Sequence, residues 1–137
     1  MKQVFADTHY WIAIVDPKDS SHHKAKEVSK GLGQVIIVTT EMVLVEFANY
    51  FASRGKNFRE VVTKTINGIR SNPNVRIIQQ TSLQFQSALE FYNSHKDKEW
   101  SLTDCASINI IREQNIKEIL AHDKHFIQAG FEALLCN

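Results

Sequence analysis

Four carboxylates are spread along the 137-residue chain, each beside apolar sequence. Asp7 ends the short β-type run QVFA, and Asp123 ends the segment EILAH. Glu46 shares a helical face with Met42, Val43 and Tyr50, at minus four, minus three and plus four. Asp104 lies in SLTDCASINIIRE, on one helical stripe with Ile108 and Ile111, although Ser101 also makes it half of a capping box. Each acid has a plain structural use. Asp7 can cap a helix beginning at Thr8, Asp123 can cap the turn KHF, and Glu46 can be a surface acid. Four inward acids together need more than caps, because a buried charge must find a partner. Two unit charges about 4 Å apart repel by roughly 4 kcal/mol at an effective dielectric near 20. A cluster of three or four would therefore cost an amount comparable with the stability of a domain. Protonation or a cation relieves that repulsion. An all-oxygen set without His or Cys suits the hard divalent ions Mg²⁺ or Mn²⁺, which activate water and neutralise charge during attack on a phosphodiester. The pattern points to metal-dependent nuclease chemistry.

The elements that would carry these acids alternate in type. QVFAD reads as a strand and THYWIAIVD as a helix, with Trp11, Ile14 and Val15 on one side. PKDSSHHKAKEVSKGLG begins as a turn, gains a cap at Ser20 or Ser21 and ends at Gly31 or Gly33. QVIIVTT is a β-branched run of the kind buried on both faces. TEMVLVEFANYFASRG predicts a helix closed by Gly55, and NFREVVTKTINGIRSNP another closed before Pro73. VRIIQQ is a third strand and SLQFQSALEFYNSHK a polar-faced helix. The helix of Asp104 follows, then EILAHD as a fourth strand and FEALLCN as a fifth. Short apolar strands alternating with helices predict an α/β fold, a parallel sheet covered by helices on both faces. In such sheets ligands bind beyond the carboxyl ends of the strands, where strand order reverses.

The totals narrow the classes. A chain of 137 residues, 43% hydrophobic and 23% charged, is globular and most simply one domain over 1–137. No apolar run approaches the roughly 20 residues of a membrane span, and MKQVFADTHYW does not read as a secretory signal. Two cysteines, Cys105 and Cys136, without metal-like spacing fit a reducing cytoplasm. A net charge of +1 requires any binding of a polyanion to be local. Lys18, Lys24 and Lys26, with Arg54, Lys56 and Arg59, form either an RNA-guiding rim or a solvated surface. Six histidines invite a zinc reading, with His122 and His125 three apart and His22 adjoining His23. Zinc sites usually pair Cys or His in two distant clusters, and no Cys pair exists here. Near Asp123, His122 and His125 could instead touch a phosphate or product. Gly31 and Gly33 make no phosphate loop, since no Lys-Ser/Thr follows.

VFADTHYWIA, VLVEFANYF, SLTDCAS and LAHDKHFIQAG, in that order and at those intervals, resemble a PIN domain. In particular they resemble the small ribonuclease toxins (VapC-like) of bacterial type II toxin–antitoxin pairs. The resemblance implies a three-layer α/β/α sandwich with a central parallel sheet. It implies Asp7 and Asp104 as main metal ligands, Asp123 and Glu46 completing the acidic site, and Thr8 as the small hydroxyl residue after the first acid. It further implies Mg²⁺ (or Mn²⁺), an RNA substrate, a cognate antitoxin protein and a homodimer. Ala121 departs from the pattern, standing where the family usually has Thr or Ser, which weakens the expected orientation of Asp123. The second reading is accordingly a PIN-like domain that binds RNA or protein with weak or no cleavage. A phospho-accepting receiver fits less well. It needs paired acids after the first strand, an acceptor Asp after the third and a Lys after the fifth, whereas Asp7 stands alone and Gln79-Gln80 replace the acceptor. A phosphohydrolase using Asp7 as nucleophile would want a second acid where His9 stands.

Overall fold

Why the chain forms a parallel sheet is visible in its central strands, whose apolar residues are largely buried. The computed structural model describes residues 1–136. Its elements run β1 (Lys2–Ala6), α1 (Thr8–Val15), α2 (His22–Gly31), β2 (Val35–Thr40), α3 (Glu41–Tyr50), α4 (Lys56–Ser71), β3 (Val75–Ile78), α5 (Ser82–Ser94), α6 (Leu102–Glu113), β4 (Glu118–Leu120), α7 (Lys124–Gln128) and β5 (Glu132–Ala133). The five strands form one sheet of order β3-β2-β1-β4-β5, every pair parallel. In register, Val4 faces Ile37 and Phe5 faces Val38 on one side of β1, while Phe5 faces Ile119 and Ala6 faces Leu120 on the other. The chain steps outward from β1 through β2 to β3, then crosses back to β4. With right-handed crossovers that reversal puts α1–α4 on one face and α5 and α6 on the other. This is the expected central parallel sheet flanked by helices.

Burial follows from the strand sequences. Val4, Phe5 and Ala6 of β1, Val38 of β2 and Ile119 and Leu120 of β4 are fully buried. They meet Phe47, Ile108, Ile111 and Phe126 from the helices to form the core. Among the described residues no helix is long and apolar enough to cross a membrane.

Several boundaries differ from the sequence reading, each for a local reason. The helix expected to run to Gly55 stops at Tyr50. Gly55, at φ +96°, is instead the residue before α4, where the backbone takes a left-handed value that a side chain would strain. Arg54 explains the break, since its guanidinium stacks over Phe51 and Phe58 and pairs with buried Asp16 at 3.3 Å. Ser21 does precede α2, but its side chain makes no capping bond. The fourth strand is only Glu118–Leu120, so Asp123 lies three residues past its end and opens a short helix where a turn was expected. The fifth strand is two residues within FEALLCN, whose last residue, Asn137, lies outside the described residues.

Candidate active site

The four acids reach one cleft from four segments. Asp7 follows β1, the central strand, at the point where strand order reverses. Glu46 comes from the second turn of α3, Asp104 from the first turn of α6 and Asp123 from the start of α7. All four line a cavity of about 730 Å³, with Thr8, His9, Ser101, His122, Lys124 and His125 among its other walls. The carboxyl ends of the strands are where the sheet rule puts a ligand.

The acids are not equivalent. Asp7 is 6% exposed and sits at the N-cap position of α1, yet its side chain makes no capping bond. Burial pushes its carboxyl up to about 8, and the charges of Asp104, Glu46 and Asp123 push the same way against the opposing Thr8 N–H. A cap would have been the plain use of this residue, and the geometry does not support it. Asp104 serves two ends at once. Ser101 Oγ accepts from the Asp104 N–H at 3.0 Å, and the Ser101 N–H donates to Asp104 Oδ2 at 3.1 Å, which completes the capping box. The same side chain, 13% exposed, still borders the cleft. Asp123 accepts from the His125 N–H at 3.0 Å, so it is a genuine cap of α7 as well as a cleft residue. Glu46 is exposed, which corrects the expectation that its apolar stripe carries it inward. Its Oε1 accepts a hydrogen bond from the Thr8 hydroxyl at 2.5 Å, tying the residue after Asp7 to α3. Repulsion is thus concentrated on Asp7 and relieved by water around Glu46.

His125 joins two of the acids. Its Nδ1 lies 2.9 Å from Asp104 Oδ2 and 3.2 Å from Asp123 Oδ2, so the donor set around these acids includes a nitrogen and is not all oxygen. The only available signal was the proximity of His125 to Asp123, since Asp104 is 21 positions away in sequence. Two of the cations considered for a rim are engaged elsewhere: Arg54 with Asp16, and Arg59 with the Ala52 carbonyl at 2.8 Å. Lys124 is the basic residue that borders the cleft. Ala121 is fully buried in the core, and Asp123 takes its orientation from His125, not from a hydroxyl at position 121.

A sequence description of the PIN domain matches residues 4–132. The chain belongs to the PIN domain family. This PIN domain is 28% identical over 128 residues to the 23S rRNA-specific endonuclease VapC20 of Mycobacterium tuberculosis, covering 93% of this chain and 95% of that protein. The crystal structure of VapC20, described as a sarcin–ricin loop cleaving toxin, superposes on it with a TM-score of 0.83 at 26% identity, over 93% of this chain and 95% of that one. FitAcB from Neisseria gonorrhoeae shares the fold at 12% identity, with a TM-score of 0.66 over 98% and 96% of the two chains. The PIN domain and its central parallel sheet are therefore as the sequence resemblance implied.

Proposed function

We propose that this PIN domain is a divalent-metal-dependent endoribonuclease and the toxin of a type II toxin–antitoxin pair. The observation that carries the chemistry is the burial of Asp7, a carboxyl held up near 8 and aimed into a cleft with three further acids. A divalent cation fits such a group, because it removes the repulsion and the penalty of burial together. The likeness to VapC20 over nearly the whole of both chains supports RNA as substrate and an antitoxin protein as partner. Asp7, Asp104, Asp123 and Glu46 are the assigned metal-holding and catalytic residues, and Mg²⁺ or Mn²⁺ is the assigned ion. A bound ion would supply an activated water and charge neutralisation at the scissile phosphate.

The chain's own groups do the rest. Thr8 holds Glu46, and the Ser101 capping box fixes the rotamer of Asp104, so two acids are oriented before substrate arrives. Lys124, His9 and His122 border the cleft, where they can meet the phosphate backbone. A homodimer and a single-domain organisation over 1–137 remain part of this reading.

Asp7→Asn and Asp104→Asn are expected to reduce Mg²⁺-dependent RNA cleavage to about one-hundredth or less, while far-ultraviolet circular dichroism stays unchanged. Amides keep the shape and remove the charge. Full activity in either variant would end the catalytic assignment of that residue, and cleavage that survives EDTA would end the metal requirement.

A further inference from the structure

The His125 backbone orients Asp123, but its ring faces the acids as well. His125 Nδ1 lies against two carboxylates that arrive from different helices, at 2.9 Å from Asp104 Oδ2 and 3.2 Å from Asp123 Oδ2. One ligand atom from each of the three residues falls within 4.8 Å of the other two. We propose that His125 is the nitrogen ligand of a divalent-metal site shared with Asp104 and Asp123, which makes this site prefer Mn²⁺, Co²⁺ or Zn²⁺ over Mg²⁺. The inference rests on the metal-dependent reading and adds to it a ligand of a different chemical class.

Geometry is the first support. Adjacent ligands of an octahedral ion with bonds near 2.1 Å stand about 3.0 Å apart, which is √2 times the bond length. The two His125 separations bracket that value, so the nitrogen already stands at ligand-to-ligand distance from both carboxylates, which themselves lie within 4.8 Å of each other. Preorganisation is the second. The His125 backbone is fixed on both sides: its N–H donates to Asp123 Oδ1 at 3.0 Å, and its carbonyl accepts from Trp100 Nε1 at 3.2 Å and from the Ala129 N–H at 3.2 Å. The ring is only 20% exposed, so little freedom is left to lose on binding. Donor chemistry is the third. Carboxylates alone suit Mg²⁺, whereas an imidazole nitrogen shifts a site toward the first-row transition ions, least for Mn²⁺ and more for Co²⁺ and Zn²⁺, following the usual order of their complexes. The plain alternative is that Nδ1–H only bridges the two carboxylates as a hydrogen-bond donor.

Pulsed electron paramagnetic resonance of the full chain loaded with Mn²⁺ separates the two, because an imidazole nitrogen bound to the ion modulates the echo. Wild type is expected to show that modulation, altered by ¹⁵N-histidine labelling, and to bind Mn²⁺ at least about tenfold more tightly than Mg²⁺ by calorimetry. His125→Gln is expected to lose the modulation and weaken Mn²⁺ by about ten- to a hundredfold, with a smaller change for Mg²⁺. His9→Gln and His122→Gln are expected to keep the modulation. Bound Mn²⁺ without nitrogen modulation in wild type would overturn the inference and leave the nuclease reading standing. Modulation that persists in His125→Gln would also overturn it. Failure of wild type to bind either ion would overturn both. The wild-type spectrum decides the main point even if the variant folds poorly.

Discussion

Asp7 carries most of the electrostatic tension of the molecule, and its position predicts how stability depends on pH. An unfolded aspartate titrates near 3.8, whereas the folded carboxyl is raised to about 8. Between those values the folded state holds a proton that the unfolded state has released, so metal-free stability must fall as pH rises, by up to about 1.4 kcal/mol per pH unit. Below 3.8 the effect is absent, and above 8 the penalty is complete. Thermal melts of metal-free protein are therefore expected to drop between pH 5 and pH 8, and Asp7→Asn to flatten that slope and melt higher at pH 8. A wild-type melt independent of pH would contradict the burial argument. Saturating Mn²⁺ should restore stability at pH 8, by roughly 2.7 kcal/mol at one hundred times the dissociation constant, or several degrees. Asp104→Asn should gain less in the absence of metal, because its carboxylate already has the Ser101 N–H and His125 as partners. That these four acids would meet in one cleft was legible in sequence, since each stood next to apolar residues. Their order of burial was not, because exposure of Glu46 depends on where α3 lies, and the contact of His125 with Asp104 joins residues with no local relation.

At the scale of elements, α6 both supplies a site residue and packs in the core. Ser101 and Asp104 form its capping box, and Cys105, Ile108 and Ile111 fill its buried face. Burial, with the Asp104 charge adding, pushes the Cys105 thiol up to about 11, so this cysteine is a small core residue and not a nucleophile. Ser107 on the same helix is 1% exposed, and its hydroxyl finds no hydrogen-bond partner among the described residues. An unpaired buried hydroxyl costs free energy, and alanine is also the better helix former. Ser107→Ala is thus expected to stabilise the protein by about 1 kcal/mol in urea denaturation, whereas Ser101→Ala should destabilise it by a similar amount through loss of the cap. A Ser107→Ala variant less stable than wild type would mean that the hydroxyl has a partner, such as a buried water. Both halves of the capping box could be read from S-x-x-D alone. The early end of α3 could not, because Arg54 is held by Asp16, 38 positions away.

For the whole molecule, the exposure gradient across the cleft predicts how a silencing partner would dock. Asp7 and Asp104 lie deep, while Glu46 is exposed and the Asp123 side chain is 43% exposed. A partner under the proposed function is expected to bring an Arg or Lys to Glu46 and Asp123 at the mouth, since a guanidinium meets a carboxylate for the same reason a metal does. A crystal structure of the complex checks this, and a partner lying wholly away from the cleft would refute it. The alternation of strands and helices was legible because an all-parallel sheet demands it. The reversal at β1 was not, because nothing in the composition of β4 says which edge it joins. That reversal has a consequence for synthesis. Until residues 118–120 have been made, one edge of β1 has no neighbour, and the cleft lacks Asp123. Any product of interrupted translation that stops short of β4 is consequently an open-edged, incomplete sheet, prone to stick to its like and without the complete constellation of acids. Under the proposed function, placing the founding strand in the middle and its last neighbour late would leave an unfinished copy without a complete site.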